Sequence, residues 1–209
     1  IRILEMPGYY RSFEEVDVAT KAVEGTLKDM IREQGYELLG WGEAGTVHIF
    51  SKEKVTDLPS LAATRMWAWE GDRVSEEIFK VFNISPVPLS LPDVLPSLNS
   101  GTINGVYSSP LGMVALQWAP HVSYMTEQSL GRAMGGTVID KRRFDKLPPE
   151  FQAILVETGE KWHRAIVVGA REENEKAIKT LKGRGVTPIT AAPESWSQME
   201  TGFAEVRRN

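Results

Sequence analysis

Four of the six tryptophans, Trp41, Trp67, Trp69 and Trp118, fall at or near the ends of strand-like segments. In an α/β architecture that is where the walls of a cleft lie, so they either line a ligand pocket or serve as large core residues. Glu43 is held between Gly42 and Gly45 in a turn-like stretch. Ser108, Ser109 and Pro110 follow an apolar run from Ile103 to Tyr107, and the exits of such strands collect ligands. Glu43, His48 and Ser108 contain the types needed for a hydrolytic constellation, but isolated loop carboxylates and serines also act as caps or solvated groups. The sequence has no P-loop, no strand followed by G-x-G-x-x-G, no H-E-x-x-H and no G-x-S-x-G. His48, His121 and His163 are far apart and lack neighbours at metal-ligand spacing, so neither a metal nor a cofactor is expected.

The elements that position these residues follow from periodicity. Ser12 and Glu15 form a capping box ahead of a helix to about Gln34, with Phe13, Val16, Val23, Leu27, Met30 and Ile31 on one stripe. Tyr36–Gly42 and Thr46–Ser51 read as two strands separated by the Gly42–Gly45 turn. Asp57 caps a short helix, Met66–Trp69 is a short buried strand, and Asp72 opens a helix carrying Val74, Ile78, Val81 and Phe82. Further segments are an extended stretch at Pro86 and Pro88, a short helix from Ser90 to Gly101, the Ile103–Tyr107 strand, and a helix through Gln117 and Trp118. Strands follow around Val122–Met125 and Gly136–Ile139. A long helix from about Pro148 to Lys182 is expected to face inward with Phe151, Ile154, Leu155, Trp162, Ile166, Ala177, Ile178 and Leu181, bending at Gly159 or Gly169. A Val186–Ile189 strand and a Glu194–Val206 helix end the chain. This alternation predicts α/β sheets that are largely parallel, in two lobes that cross near Tyr36 and Val122.

The length, 209 residues, exceeds one small domain and falls short of two full ones. Twenty-four Lys and Arg against 28 Asp and Glu leave a net charge of -4, without the basic excess that nucleic-acid backbones require. With no cysteine there are no disulfides, thiolate catalysis or Cys-bound zinc, and the compartment stays open. The longest apolar run, Ala165–Ala170, is far short of the roughly 20 residues of a bilayer span. Ile1 is not an initiator methionine, and the start reads as a processed or cut one.

The run SPVPLSLPDVLPSLNSGTINGVYSSPLG, Ser85 to Gly112, resembles the signature of the DctP-type solute-binding proteins of TRAP transporters, N-P-x-P-x-x-x-x-E-V-x-x-A-L-Q-x-G-x-x-D-G. Pro86, Pro88, Val94, Leu98, Gly101 and Gly105 match outright, and Asp93, Asn99 and Asn104 are conservative replacements. MPGYYRSFEEVDVA at Met6–Ala19 is similar to the family's proline-aromatic loop and helix, and GYELLGWGEAG at Gly35–Gly45 to its hinge strand. W-E-G-D at Trp69–Asp72 and K-L-P-P-E-F-Q-A-I-L at Lys146–Leu155 extend the resemblance over nearly the whole chain.

The resemblance implies a two-lobed, type II periplasmic-binding-protein architecture. Such a protein is a periplasmic receptor that closes on a small organic solute and delivers it to TRAP permease subunits without covalent chemistry. Its implied organisation is a first-lobe remnant at 1–38, a nearly complete second lobe at 39–122, a return to the first lobe at 123–147, and a lobe-spanning helix with the last strand and helix at 148–209. Ile1 matches a point about a third of the way into the family pattern, so the first lobe is expected to be incomplete, with edges that could pair with a second copy. The family's two carboxylate-binding arginines match Val47 and Trp67 here. Their replacement shifts the expected ligand toward an aromatic or polar solute, stacked on Trp67 or Trp41 and fixed by Glu43, Asn99, Tyr107, Ser108 and Ser109.

Overall fold

Residues 2–208 are described by the structure, a computed structural model; of Arg2 only the backbone is described. After a 3-10 turn at Arg2–Glu5, Ser12 caps α1 (Phe13–Glu33) by accepting from the Glu15 N–H. The Glu15 carboxylate reaches back to the Arg11 N–H instead of closing the box on Ser12. β1 (Tyr36–Ser51) follows as one strand of 16 residues, where two were expected. The Gly42–Gly45 stretch is not a turn. It is absorbed by a register shift between Glu43 and Gly45, and Gly45 takes φ +103°, a conformation that suits a residue without a side chain.

Asp57 and Ser60 cap each other reciprocally at the start of α2 (Leu58–Ala62). β2 (Trp67–Trp69), α3 (Arg73–Val81, capped by Asp72), β3 (Val87–Leu89), α4 (Leu91–Ser100) and β4 (Gly105–Ser108) come next. α5 (Pro110–Ala115) is capped by the Ser109 hydroxyl and stops before Gln117 and Trp118, because Gln117 turns to φ +60°. β5 (Tyr124–Thr126), β6 (Gly131–Asp140), α6 (Lys141–Phe144), α7 (Pro149–Gly183), β7 (Thr187–Ile189) and α8 (Pro193–Val206) complete the chain.

The sheets are mixed, not largely parallel. β1 is the common strand: His48–Ser51 pair antiparallel with β4, Phe50 and Ser51 pair antiparallel with β5, and Tyr36–Val47 pair antiparallel with β6. Among the described strands β2 with β3 and β5 with β7 run parallel, and Met66 bridges Gly105 in the same sense. One strand thus serves three ladders, and its partners change at Val47–His48. Alternation at the next residues divides the interior, since Ile49 and Phe50 point to opposite faces. Phe50 joins Trp67, Val94, Leu98, Ile103, Val106, Met113, Trp118 and Leu181 in one core, and Ile49 joins Leu61, Met66, Phe79, Ile84, Met199 and Phe203 in the other.

α7 is a continuous helix of 35 residues, roughly 52 Å long at 1.5 Å per residue. Its expected inward stripe holds only at the C-terminal end, where Ala177 and Leu181 are buried. Phe151, Ile154, Trp162 and Ile166 are all more than half exposed. Along the rest of the helix Gly159, His163 and, nearer the C-terminal end, Asn174 meet β1. A Cβ on Gly159 would lie 2.3 Å from the Leu39 carbonyl oxygen, so Gly159 is a point of close approach and not a bend. Asn174 donates to the Ala44 carbonyl at 2.9 Å and accepts from the Leu111 N–H at 3.0 Å, tying β1 to α5 through α7.

Candidate functional site

Where β1 changes partners, the structure leaves a cavity of about 130 Å³. Its floor is Val47 and Ile49 of β1. One wall is Leu130–Ala133 leading into β6, and the other is Met66, Tyr107 and the first turns of α3; Met199 and Phe203 of α8 close it from below. Glu5, Asp72 and Ala133 also border a wider opening with Trp69, Glu70, Gly71 and Met134, so the cavity continues outward between the W-E-G-D turn and β6. The lining is mainly apolar and the polar groups, Glu5, Asp72, Ser75 and Arg132, are few. That is the composition of a small-molecule site, although the closed volume is below the 300–1,000 Å³ of a typical drug-sized pocket.

Aromatic packing fixes the second wall. Trp67 stacks on Tyr107 at 5.1 Å and meets Trp118 edge-on at 5.5 Å, while its indole N–H donates to the Leu89 carbonyl at 3.0 Å. The Trp69 N–H donates to the Tyr107 hydroxyl oxygen at 3.0 Å, which locks β2 to β4 and turns the half-exposed Trp69 indole toward the opening.

A charged network lies on the α1 and α7 side of β1. The Arg171 Nε and Nη2 both donate to Glu43 Oε2, at 3.0 and 2.7 Å, and its Nη1 and Nη2 donate to Asp17 at 2.9 and 2.6 Å. These bonds hold the guanidinium above its ordinary range, the Asp17 contribution being the largest, and hold the Asp17 carboxyl below its own. Arg171 and Arg132 both lie over the Phe13 ring, at 4.4 and 3.9 Å. Arg132 is only 9% exposed, and no protein acceptor reaches its Nε or Nη1. Burial pushes this guanidinium below its ordinary value, with Glu43 opposing that shift and Arg171 adding to it. Glu43 Oε1 and Trp41 Nε1 are likewise buried without a hydrogen-bond partner.

Of the residues singled out from sequence, Val47 and Tyr107 line the cavity and Trp69 its opening. The others lie elsewhere. Trp67 and Trp118, each 2% exposed, are core residues. Trp41 and Glu43 lie on the opposite side of β1, Trp41 flooring a groove between α1 and α7 and Glu43 bound to Arg171. Ser109 is occupied as the α5 cap, Ser108 stands opposite His48 in the β1–β4 ladder, and Asn99 is exposed on α4.

The hydrolytic constellation does not assemble. The His48 Nδ1 lies 2.8 Å from the Thr126 carbonyl and Nε2 3.1 Å from the Thr46 hydroxyl, and burial pushes the imidazole below its ordinary value. Among the described residues no group of three or more His, Asp or Glu is placed to hold a metal ion, and no helix is long and apolar enough to cross a membrane. Arg132 and Arg171 escaped the sequence reading. Arg171 has a weak signal, lying on the same side of α7 as Asn174, whereas Arg132 follows Gly131 with nothing around it to mark it.

The fold is shared with solved receptors. DctP7, a Bordetella pertussis extracytoplasmic solute receptor binding pyroglutamic acid, superposes with a TM-score of 0.92 at 22% identity over 99% of this chain and 68% of its own. Among curated proteins, a solute-binding protein of Sulfitobacter sp. (strain NAS-14.1) is 24% identical over 77% of this chain and 49% of its own length. The 2,3-diketo-L-gulonate-binding periplasmic protein YiaO of Escherichia coli (strain K12) is 24% identical over 91% of this chain and 58% of its own. The chain therefore spans about half to three-fifths of the length of these curated relatives. The model of the bacterial extracellular solute-binding proteins, family 7, matches residues 1–209, and the chain belongs to that family, DctP.

Proposed function

We propose that this chain is the solute-recognising part of a periplasmic receptor, which captures a small organic acid and hands it to the membrane subunits of a TRAP-type transporter. The observation that carries the reading is the cavity at the β1 partner switch. Its walls come from elements that pair with different stretches of one strand, so a solute held there would bias their relative position. Two lobes hinged at that switch, and again near Val122, would close over the opening beside Trp69. The names of the relatives point to the same chemistry, a pyroglutamate receptor and a diketogulonate-binding protein, both ligands being small carboxylic acids. No bond in the solute is made or broken in this reading. Both ring nitrogens of His48 are engaged in the fold, and Glu43 is held by Arg171 on the far side of β1 from the cavity.

Thermal melting against a panel of small carboxylates, aromatic acids and amines tests the reading. A solute at a hundred times its Kd stabilises by about 2.7 kcal/mol. At roughly 2–4 °C per kcal/mol for a chain of this size, that is a rise of about 5–11 °C. A flat response to every class sinks the proposal.

A further inference from the structure

Two opposite charges are buried side by side on the α1 and α7 side of β1 without meeting. The Glu43 side chain is fully buried and its Oε1 has no hydrogen-bond partner; Arg132 is 9% exposed, and its Nε and Nη1 have none. Their neighbours are already engaged. Glu43 Oε2 and both Asp17 oxygens take the Arg171 donors, and the two guanidinium groups lie over the same Phe13 ring at 3.9 and 4.4 Å. Buried charges of opposite sign pair where they can, because each is costly alone. The register shows what keeps these two apart. Glu43 stands opposite Met134 and Arg132 opposite Thr46, so a regular ladder would make them diagonal neighbours within reach of two long side chains. β1 instead carries an extra residue between them, Ala44, which the bulge at Gly45 absorbs. The bulge lies two residues before Val47, where β1 leaves β6 for β4. It is also tied across the switch, since Asn174 donates to the Ala44 carbonyl and accepts from the Leu111 N–H of α5.

Resting on the solute-receptor reading above, we propose that Glu43 and Arg132 are the two halves of a latch that engages only when the elements on either side of the β1 partner switch close on a solute. Closing shifts the bulge, Arg132 Nε and Nη1 donate to Glu43 Oε1, and a charge-assisted bond forms that the open form lacks. Arg171 holds Glu43 in place in both forms. Neither member of the latch touches solute; both are positioning residues on the far side of β1 from the cavity. The bond stabilises the closed state alone, so it strengthens the binding of every solute by the same factor and does not choose between them.

The chain has no cysteine, so Lys21→Cys on α1 and Asn99→Cys on α4, both exposed, place two spin labels on either side of the switch without competing sites. Double electron-electron resonance reads the label distance without solute and with pyroglutamate or 2,3-diketo-L-gulonate. If neither acid shifts the melting temperature, the solute of the wider panel with the largest shift takes their place. Calorimetric titration of the unlabelled protein gives the affinities. In the parent, solute should collect the labels into one population at a new distance. Arg132→Met and Glu43→Gln should each leave a larger open fraction at the same saturation. Each should weaken every solute that the parent binds by a common factor of about 10- to 100-fold, the worth of a hydrogen bond to a charged group. The double variant should bind no more weakly than the weaker single one, because the two act through one bond. Arg132→Lys should recover part of the loss, since it keeps the charge without the planar fork. If Arg132→Met does not fold, Arg132→Gln is read in its place. Closure as complete as the parent's, with affinity within about three-fold of it, overturns the latch and leaves the receptor reading intact. Losses that add in the double variant, or that differ between two solutes, do the same, as does a parent whose melting responds to solute while its label distance stays fixed. A parent whose melting responds to no member of the panel overturns both.

Discussion

Arg171→Met removes the guanidinium that joins α7 to β1 and α1. The Glu43 side chain is fully buried and receives both of its hydrogen bonds from Arg171, at 3.0 and 2.7 Å on one oxygen, while the other oxygen has no partner. Truncating one member of such a pair strands the remaining charge, at a cost of about 3–5 kcal/mol. The Asp17 half of the bridge is more than half exposed and adds little to that figure. At roughly 2–4 °C per kcal/mol for 150–250 residues, the melting temperature should fall by about 6–20 °C. Scanning calorimetry at pH 7 measures it. Adding Glu43→Gln to Arg171→Met removes the stranded charge and should bring part of the loss back, with Arg132 then deprived of its nearest opposing charge.

The acid limb provides a second reading of the same bridge. The Asp17 carboxyl sits below its ordinary value of 3.8, first because of its hydrogen bonds from Arg171. A depressed carboxyl contributes stability that is complete above its unfolded value and is lost as the pH falls through the lowered folded one. That contribution should be present in the parent and absent from Arg171→Met. A loss at pH 7 of less than about 1 kcal/mol, the range of an exposed ion pair, would refute the reasoning, as would a double variant less stable than the single one.

His48 is buried and its imidazole lies below its ordinary value of 6.5, so the neutral form is favoured in the folded state and the unfolded chain binds more protons. Stability should therefore fall as the pH drops from about 6.5 through the lowered folded value, and His48→Gln should flatten that slope in melting curves between pH 7.5 and 5. A second comparison uses two glycines of α7. Gly159→Ala places a methyl 2.3 Å from the Leu39 carbonyl oxygen and should cost about 1–3 kcal/mol, whereas Gly169→Ala meets nothing within 4 Å and should gain roughly 0.5–1 kcal/mol. Urea unfolding of both variants reads the contrast, and equal effects would show that α7 does not press on β1 as described.

Local chemistry was legible in the sequence. Ser12 and Asp57 cap helices because a short side-chain oxygen ahead of an apolar stripe has little else to do, and α7 begins and ends within a residue or two of its expected limits. The errors arose where a neighbouring element decides the outcome. Gly42 to Gly45 has the composition of a turn, yet β6 pairs straight through it, and a single bulge at Gly45 absorbs the extra residue. On α7 the apolar stripe through Phe151, Ile154, Trp162 and Ile166 is real as a pattern but faces outward. The face turned to β1 instead carries Gly159, which meets the Leu39 carbonyl, and His163 and Asn174, which pack where β1 has Gly40 and Gly45.

The same distinction divides the site. Trp69 and Tyr107 lie at the opening and on the wall of the cavity, joined by a hydrogen bond between the Trp69 N–H and the Tyr107 hydroxyl, which is a placement that a large aromatic at a strand end allows. Trp67 and Trp118 carry the same composition signal, but Trp67 on β2 and Trp118 after α5 are turned inward against each other, and no property of either residue alone distinguishes the outcomes. Arg132 shows the reverse. It has no motif around it, and its burial comes from the antiparallel register of β6 on β1, which sets it opposite Thr46 and over the Phe13 ring, beside Glu43 and Arg171. That register joins segments about 85 residues apart, Thr46 with Arg132, and a one-residue slip would turn every side chain of β6 to the other face, so no pattern local to Arg132 could announce where it lies.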